Sequence, residues 1–279
     1  MFLGEEPKQR SFKNVLRMLE RLGIDGVPLT GDKSPQIVKR VHAANDQLFR
    51  PVDQREGGIH LGFFMFRDLF SRLYVPLMFG SPRVEFFNLL DLSHDQKRWM
   101  STDAEAMARF EDQAVDLFDF AYGFMEFGHT RSVTVQSKEL IYRAHVQLEA
   151  AAATATSAYD YRGTLQSALL GAELALKAGL ACNGYGDEML RQKIGHNVVK
   201  AAKALGDFEP NFDADRVIRT VQTFPGFAQS RYGGAQPDRR EMGHILMKAQ
   251  YVASEVTRAF TDRNLRASQP VALTRSYPT

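Results

Sequence analysis

Apolar residues recur every three or four positions through most of the chain, which is the spacing that one face of an α-helix requires. The segment Thr164–Leu205 shows this best and predicts two helices joined by a turn. Asn183 and Gly184 mark the turn, because both tolerate the left-handed backbone that ends a helix. We expect the second helix to begin near Asp187 and to run to about Leu205. The apolar stripe of the first helix consists of Leu165, Ala168, Leu169, Ala172, Leu176, Leu180 and Ala181.

The same period predicts helices in most of the remaining chain. One stretch, Arg131–Gln136, has clear β character, but it is too short and isolated to imply a sheet. A capping box at Ser93–Gln96 predicts the start of a long helix with a break near Ser101–Asp103. The predicted helices cover about residues 11–22, 35–49, 93–127, 137–161, 213–224 and 241–260.

The most hydrophobic stretch is Gly58–Gly80, which is long enough to suggest a membrane span. Arg67, Asp68 and Arg72 lie in its middle, and three charges in lipid are costly. We therefore interpret the stretch as a buried helix of a soluble core. Pro76 is expected to end or kink that helix.

These patterns predict an all-α fold made of a helical bundle. The best domain boundary lies near Gly128–Gln136, between an aromatic-rich half and an alanine-rich half. We expect a helical N-terminal region over residues 1–130 and a four- to five-helix bundle over residues 137–263. The polar tail, residues 264–279, is expected to be frayed.

Composition narrows the classes of function. The chain has 279 residues with 44% hydrophobic and 24% charged residues, as soluble globular proteins do. A formal net charge of +2 gives no support for strong binding to nucleic acid or to a membrane. Cys182 is the single cysteine, which excludes an internal disulfide and a cysteine-rich metal site. We expect a cytoplasmic protein with no membrane partner.

One compact group of residues could perform chemistry, and its surroundings resemble a known family. The group is Arg191, Gln192, Lys193, His196 and Asn197. It lies in the second of two consecutive segments, ALLGAELALKAGL and LRQKIGHNVVKAAKAL, which are followed by RYGG and a last long helix. In this order, over about residues 138–263, the segments resemble the HEPN domain family. The resemblance implies a four- or five-helix bundle.

The HEPN resemblance implies two different functions. Many members are metal-independent ribonucleases that carry an arginine, a polar residue after it and a histidine further on, as Arg191, Gln192 and His196 do. Their sites form between two protomers. Other members carry lysine-x-glycine-histidine, as Lys193–His196 does, and bind nucleotides or small ligands without cutting RNA. Gln192 departs from the asparagine, aspartate or histidine that is commoner in the ribonucleases.

Within this resemblance, Arg191 and His196 would be the catalytic residues. Histidine exchanges protons near neutral pH, and arginine holds phosphate oxygens with a planar fork. On one continuous helix the two side chains would lie about 140° apart, so we expect them to act together only across a homodimer axis. Lys193 would share the face of His196. The alternative interpretation is a packing glycine at Gly195, a half-buried histidine and solvated cations.

The remaining candidates are weaker. Arg231 and Tyr232, in a glycine-rich loop, would add charge and base stacking to the substrate-binding set of Gln192, Lys193 and Asn197, or would anchor the loop. Four acidic residues are interpreted as a solvated or salt-bridged face rather than a metal site: Glu111, Asp112, Asp116 and Asp119. The histidines are scattered without ligand spacing. We therefore expect no metal and no cofactor.

Three functions remain open at this stage. The first is a metal-independent endoribonuclease, or an RNA-binding relative of one, in a toxin or phage-defence setting. The second is a non-catalytic nucleotide- or small-ligand-binding module that regulates a protein partner. The third is a dimerisation module whose aromatic N-terminal half is the working surface. The sequence does not decide whether the chain is an enzyme.

Overall fold

A computed structural model of the chain describes residues 7–29, 33–48, 59–78, 84–127, 134–157, 161–226, 237–267 and 275–278. The contacts divide the chain into two compact units, Met1–Gly58 and Ile59–Thr279. The fold is mostly helical, as predicted. The division falls well before the boundary that we expected near Gly128–Gln136, because residues 59–127 share one hydrophobic core with the later helices.

The first unit contains two helices, α1 (Pro7–Leu22) and α2 (Gln36–Leu48). Both were predicted from their apolar period. A small core forms where Val15 and Leu19 of α1 meet Val38 of α2. This unit therefore has its own apolar interior.

The second unit begins with a β-hairpin, so the helix that we predicted over Gly58–Gly80 is wrong. Strand β1 (His60–Phe66) pairs antiparallel with β2 (Leu69–Val75). Arg67 and Asp68, the charges that argued against a membrane span, form the turn between them. Nearly every side chain of β1 is buried, so the strand lacks the polar–apolar alternation by which a half-buried strand is recognised.

Several helices of the second unit begin at side-chain caps. Helix α3 (His94–Ser101) starts with the predicted capping box, in which Ser93 and Gln96 exchange hydrogen bonds. Helix α4 (Ala104–Glu126) starts at Asp103, which confirms the break expected there. The described part of the predicted β stretch is helical instead, because Thr134 caps helix α5 (Val135–Ala155).

Helix α6 (Arg162–Cys182) lies at the centre of the unit and packs against α5, α7 (Val198–Phe208) and α9 (Arg239–Phe260). Helix α8 (Ala214–Gln222) packs against α7 and α9. A Cβ on Gly171 of α6 would lie 2.8 Å from Leu148 of α5, so the glycine permits a close approach of the two helices. Among the described helices, α6 alone has the length and hydropathy of a membrane span, and 67% of its apolar window is buried.

The acidic face of α4 is buried and salt-bridged rather than solvated. Arg258 of α9 donates hydrogen bonds to Asp116 and, at 2.7 Å, to Asp119. Arg275 donates a second set to Asp116, with Nη1 to Oδ2 at 2.9 Å. Asp112 accepts three hydrogen bonds from the segment Arg275–Pro278, from the backbone and hydroxyl of Ser276 and the backbone of Tyr277.

The described end of the C-terminal tail is therefore ordered, and its expected fraying is wrong for residues 275–278. Tyr277 is buried, and its hydroxyl contacts His244 of α9. The tail looked polar because its arginine and serine side chains serve as partners for buried carboxylates. Those carboxylates lie more than 150 residues earlier in the chain.

Candidate functional site

The segment Asp187–Asn197 is a sequence of short turns, so the single helix that we predicted from Asp187 to Leu205 is wrong. One α-helical turn, Asp187–Met189, leads into a π-helical turn, Leu190–Ile194. Gly195 follows with φ 60° and ψ −127°, a conformation that side chains with a Cβ disfavour. Asn197 then caps α7, its Oδ1 accepting a hydrogen bond from the backbone of Lys200 at 2.9 Å.

Gly195 is required for its backbone conformation rather than for packing. A Cβ at this position would meet nothing closer than the carbonyl oxygen of Arg191 at 3.8 Å. The positive φ turns the chain between the π-helical turn and α7 and presents His196 on the surface. The interpretation of Gly195 as a packing glycine is therefore wrong.

His196 is exposed and is held by a buried carboxylate. Its side chain is 68% exposed, whereas that of Glu173 on α6 is 4% exposed. The Nδ1 atom of His196 lies 3.1 and 3.0 Å from the two carboxylate oxygens of Glu173. The interpretation of His196 as a half-buried bundle histidine is therefore wrong. A buried acid at Nδ1 favours the tautomer with a proton there and orients the ring.

Lys177 completes this arrangement. Its ammonium group donates a hydrogen bond of 2.6 Å to Oε1 of Glu173, which lies four residues earlier on α6. One buried carboxylate thus contacts two cationic or protonatable groups. Burial of a carboxylate is tolerated when such partners compensate it. We refer to Glu173, Lys177 and His196 as the histidine–carboxylate cluster.

A cavity of about 500 Å³ lies beside this cluster. Glu173, His196 and Asn197 are polar groups in its wall. Most of the other lining residues are apolar and come from α6, the π-helical turn, α7, α8 and the loop after α8: Leu169, Ile194, Val198, Val199, Val221, Phe224 and Pro225, with Gln222 and Gly226. Apolar walls with a few convergent polar groups are the usual composition of a small-molecule pocket.

The other predicted site residues lie apart from the cavity wall. Arg191 and Gln192 both donate hydrogen bonds to Glu188, with Arg191 Nη2 at 2.9 Å from Oε2. Lys193 is exposed. Because no continuous helix joins Lys193 to His196, the prediction that they share a helix face is wrong, and so is the angle of about 140° expected for Arg191 and His196.

Two predicted residues, Arg231 and Tyr232, lie outside the described residues. The sequence interpretation missed a role for Glu173 and Lys177. A signal was present in the sequence. Glu173 interrupts the apolar stripe of α6, four residues after Leu169 and three before Leu176, and a charged residue on a buried face requires a partner.

Comparisons with protein-family models, with curated proteins and with solved structures found no match to this chain.

Proposed function

We propose that this protein is a metal-independent endoribonuclease, or an RNA-binding relative of one, with His196 as its general base or acid. The observation that supports this most is the exposed imidazole of His196 on the buried carboxylate of Glu173 beside a cavity. Such a carboxylate orients a histidine and stabilises its protonated form during proton transfer. The HEPN-like order of Arg191, Gln192 and His196 adds the substrate class.

The proposed reaction needs no metal ion. His196 accepts the proton of a ribose 2′-hydroxyl, whose oxygen forms a bond to the adjacent phosphorus. The bond from phosphorus to the 5′-oxygen breaks, and that oxygen takes a proton from water, whose hydroxide is neutralised by the proton that His196 has accepted. The products are a 2′,3′-cyclic phosphate and a 5′-hydroxyl.

Arg191 and Lys193 would hold the phosphate. Arg191 is 76% exposed and is paired with Glu188, which is also exposed. Surface ion pairs of this kind contribute only about 0–1 kcal/mol, so an RNA phosphate can displace Glu188 at little cost. Both cations lie on the turn that precedes His196. They are two residues apart, so both would contact the same phosphate group in a dimer cleft.

The first experiment measures cleavage of single-stranded RNA in EDTA. We expect cleavage by the natural chain and a loss of about 100-fold or more in His196→Ala. Glu173→Gln should lower the rate as well, because an amide holds the imidazole less firmly than a carboxylate does. His94→Ala is the matched control, since His94 is another exposed histidine. Full activity of His196→Ala, or no cleavage by the natural chain, would contradict the nuclease.

The second experiment tests the dimer cleft by mixing two inactive variants. If Arg191 and His196 act in trans, Arg191→Ala and His196→Ala form mixed dimers with one intact site. Random exchange should then restore about a quarter of the natural activity. Each variant alone should stay inactive. Mixtures that remain as inactive as their components would show that the two residues do not act in trans.

The cavity of about 500 Å³ favours a second candidate function, binding of a nucleotide or another small ligand without catalysis. This candidate predicts a rise in melting temperature with a nucleoside phosphate, which His196→Ala should weaken because His196 lines the cavity. It also predicts intact RNA after prolonged incubation. Cleavage lost in His196→Ala would favour the nuclease, and a nucleotide-dependent shift without cleavage would favour the binder.

A further inference from the structure

A second set of side chains with potential ligand atoms lies between β1 and α5. His60 is the first residue of β1, and His145 and Glu149 are four positions apart on α5. The four-residue spacing puts the latter two on one helix face. The fold brings His60 to them across 85 residues of sequence. Histidines that look scattered in the sequence thus meet at one place.

The ligand atoms lie close enough together for one small ion. One ligand atom from each of the three residues lies within 4.8 Å of the other two. His60 Nδ1 lies 3.0 Å from His145 Nδ1 and 3.9 Å from Glu149 Oε1. Bonds of about 2.0–2.1 Å in a tetrahedron require ligand atoms about 3.4 Å apart, which lies between these two distances.

The surroundings hold the three side chains in place. His60 is fully buried, with its ring edge on Phe120, and the ring of His145 stacks on Phe124 at 4.0 Å between centroids. The backbone N–H of Leu61 donates a hydrogen bond of 2.9 Å to Oε1 of Glu149, which orients the carboxylate toward β1. Such outer contacts position the ligands of metal sites.

Access from solvent is provided on the Glu149 side. The side chain of Glu149 is 35% exposed, whereas the two imidazoles are buried. An ion and a water molecule would therefore enter beside Glu149.

We propose that His60, His145 and Glu149 bind one divalent transition-metal ion, with Zn²⁺ as the best-fitting ion. Two imidazoles and one carboxylate form a nitrogen-rich set that suits Zn²⁺ and its neighbours better than Mg²⁺ or Ca²⁺, which prefer oxygen. Three protein ligands leave the fourth position to water, and the ion would join β1 to α5. This site is separate from the histidine–carboxylate cluster.

Metal binding is tested on the full chain after treatment with a chelator and removal of the chelator. Calorimetric titration with Zn²⁺ should give one equivalent of binding, and Zn²⁺ should raise the melting temperature. Co²⁺ should give the strong visible absorption of a tetrahedral nitrogen–oxygen site. Glu149→Gln and His145→Gln should each weaken Zn²⁺ binding by at least about 10-fold.

Glu139→Gln is the matched control, because Glu139 is an exposed carboxylate on the same helix, paired with Arg143. This variant should bind Zn²⁺ as the natural chain does. Circular dichroism checks that each variant is folded. Absence of stoichiometric Zn²⁺ binding by the natural chain would overturn the proposal, and so would binding that Glu149→Gln and His145→Gln leave unchanged. RNA cleavage in EDTA does not depend on this site, so the two proposals fail independently.

Discussion

Two regions of the protein concentrate charged side chains, and they differ in burial. In the first, which we name the carboxylate–arginine network, Asp116 and Asp119 of α4 meet Arg258 of α9, and Asp116 also meets Arg275 of the C-terminal segment. Asp112 of α4 is paired with Arg266, and Asp116 is fully buried. In the second, the segment Asp187–Asn197, the charged side chains are exposed. Its buried partner, Glu173, comes from α6.

The difference shows how burial assigns a role to a charge. Burial alone would raise the pKa of Asp116, but Arg275 and Arg258 outweigh it, so the pKa is lowered and the carboxylate stays ionised. Burial also raises the pKa of Asp119, and there Arg258 offsets the rise only in part. Buried acids with arginine partners stabilise the fold. The imidazole of His196, in contrast, is exposed and has one buried acid behind it.

The largest effect is expected from breaking the network. Asp116→Ala leaves Arg258 and Arg275 buried without their shared partner, which should cost about 3–5 kcal/mol of unfolding free energy. Urea denaturation measures this loss. Glu139→Ala, which breaks the exposed pair with Arg143, is the control and should cost no more than about 1 kcal/mol. If the two variants lost the same unfolding free energy, burial would not distinguish the contribution of the network from that of an exposed pair.

The second effect concerns the turn that presents His196. Gly195→Ala places a Cβ on a backbone with φ 60° and ψ −127°, which should cost about 1–3 kcal/mol. Because the strain would displace His196 from Glu173, RNA cleavage should fall as well. Gly184→Ala is a useful comparison, since Gly184 also has a positive φ and open space around it but ends α6 away from the histidine. It should lose stability without losing cleavage.

The third effect is a dependence of stability on pH. Burial lowers the pKa of His244, and the cations Lys248, Arg109 and Arg240 lower it further. Its unfolded pKa is near 6.5, so between that value and the folded pKa the unfolded chain binds more protons. Stability should therefore fall as the pH drops through about 6.5. The denaturation midpoint of His244→Gln should depend less on pH in that window. If the midpoint of this variant varied with pH as steeply as that of the natural chain, His244 would not be the source of the pH dependence.

The smallest effect is expected in the exposed segment. Arg191→Ala removes a surface pair with Glu188 and should change the unfolding free energy by no more than about 1 kcal/mol. Thermal denaturation measures it. The same variant should nevertheless lose RNA cleavage. A large loss of stability would show that Arg191 is structural and would weaken its assignment as a phosphate ligand.

Features that depend on residues close together in the sequence were predicted, and features that depend on contacts between distant residues were missed. The helices were predicted because their apolar period repeats within each segment. The β-hairpin was missed because β1 is buried on both faces and therefore shows no alternation. The acidic residues of α4 were placed on one face, but their burial depends on Arg258 and Arg275, 142 and 159 residues away from Asp116.

The candidate site shows the same limit. The local group Arg191–Asn197 was identified from the sequence, and His196 and Asn197 do line the cavity. Glu173 lies 23 residues before His196, on a different helix, so its contact with the imidazole is a property of the packing. The π-helical turn and the positive φ of Gly195 could not be inferred from an apolar period that continues smoothly into α7.

The pairing of Arg275 with Asp116 has a consequence for how the chain is made. On the ribosome, α4 emerges long before residue 275 is synthesised, and until then Asp116 lacks one of its two arginine partners. Closing the core around it at that stage would bury an incompletely compensated charge. The last stage of folding should therefore wait for the C-terminal segment, and unfinished chains should stay open to chaperones and proteases.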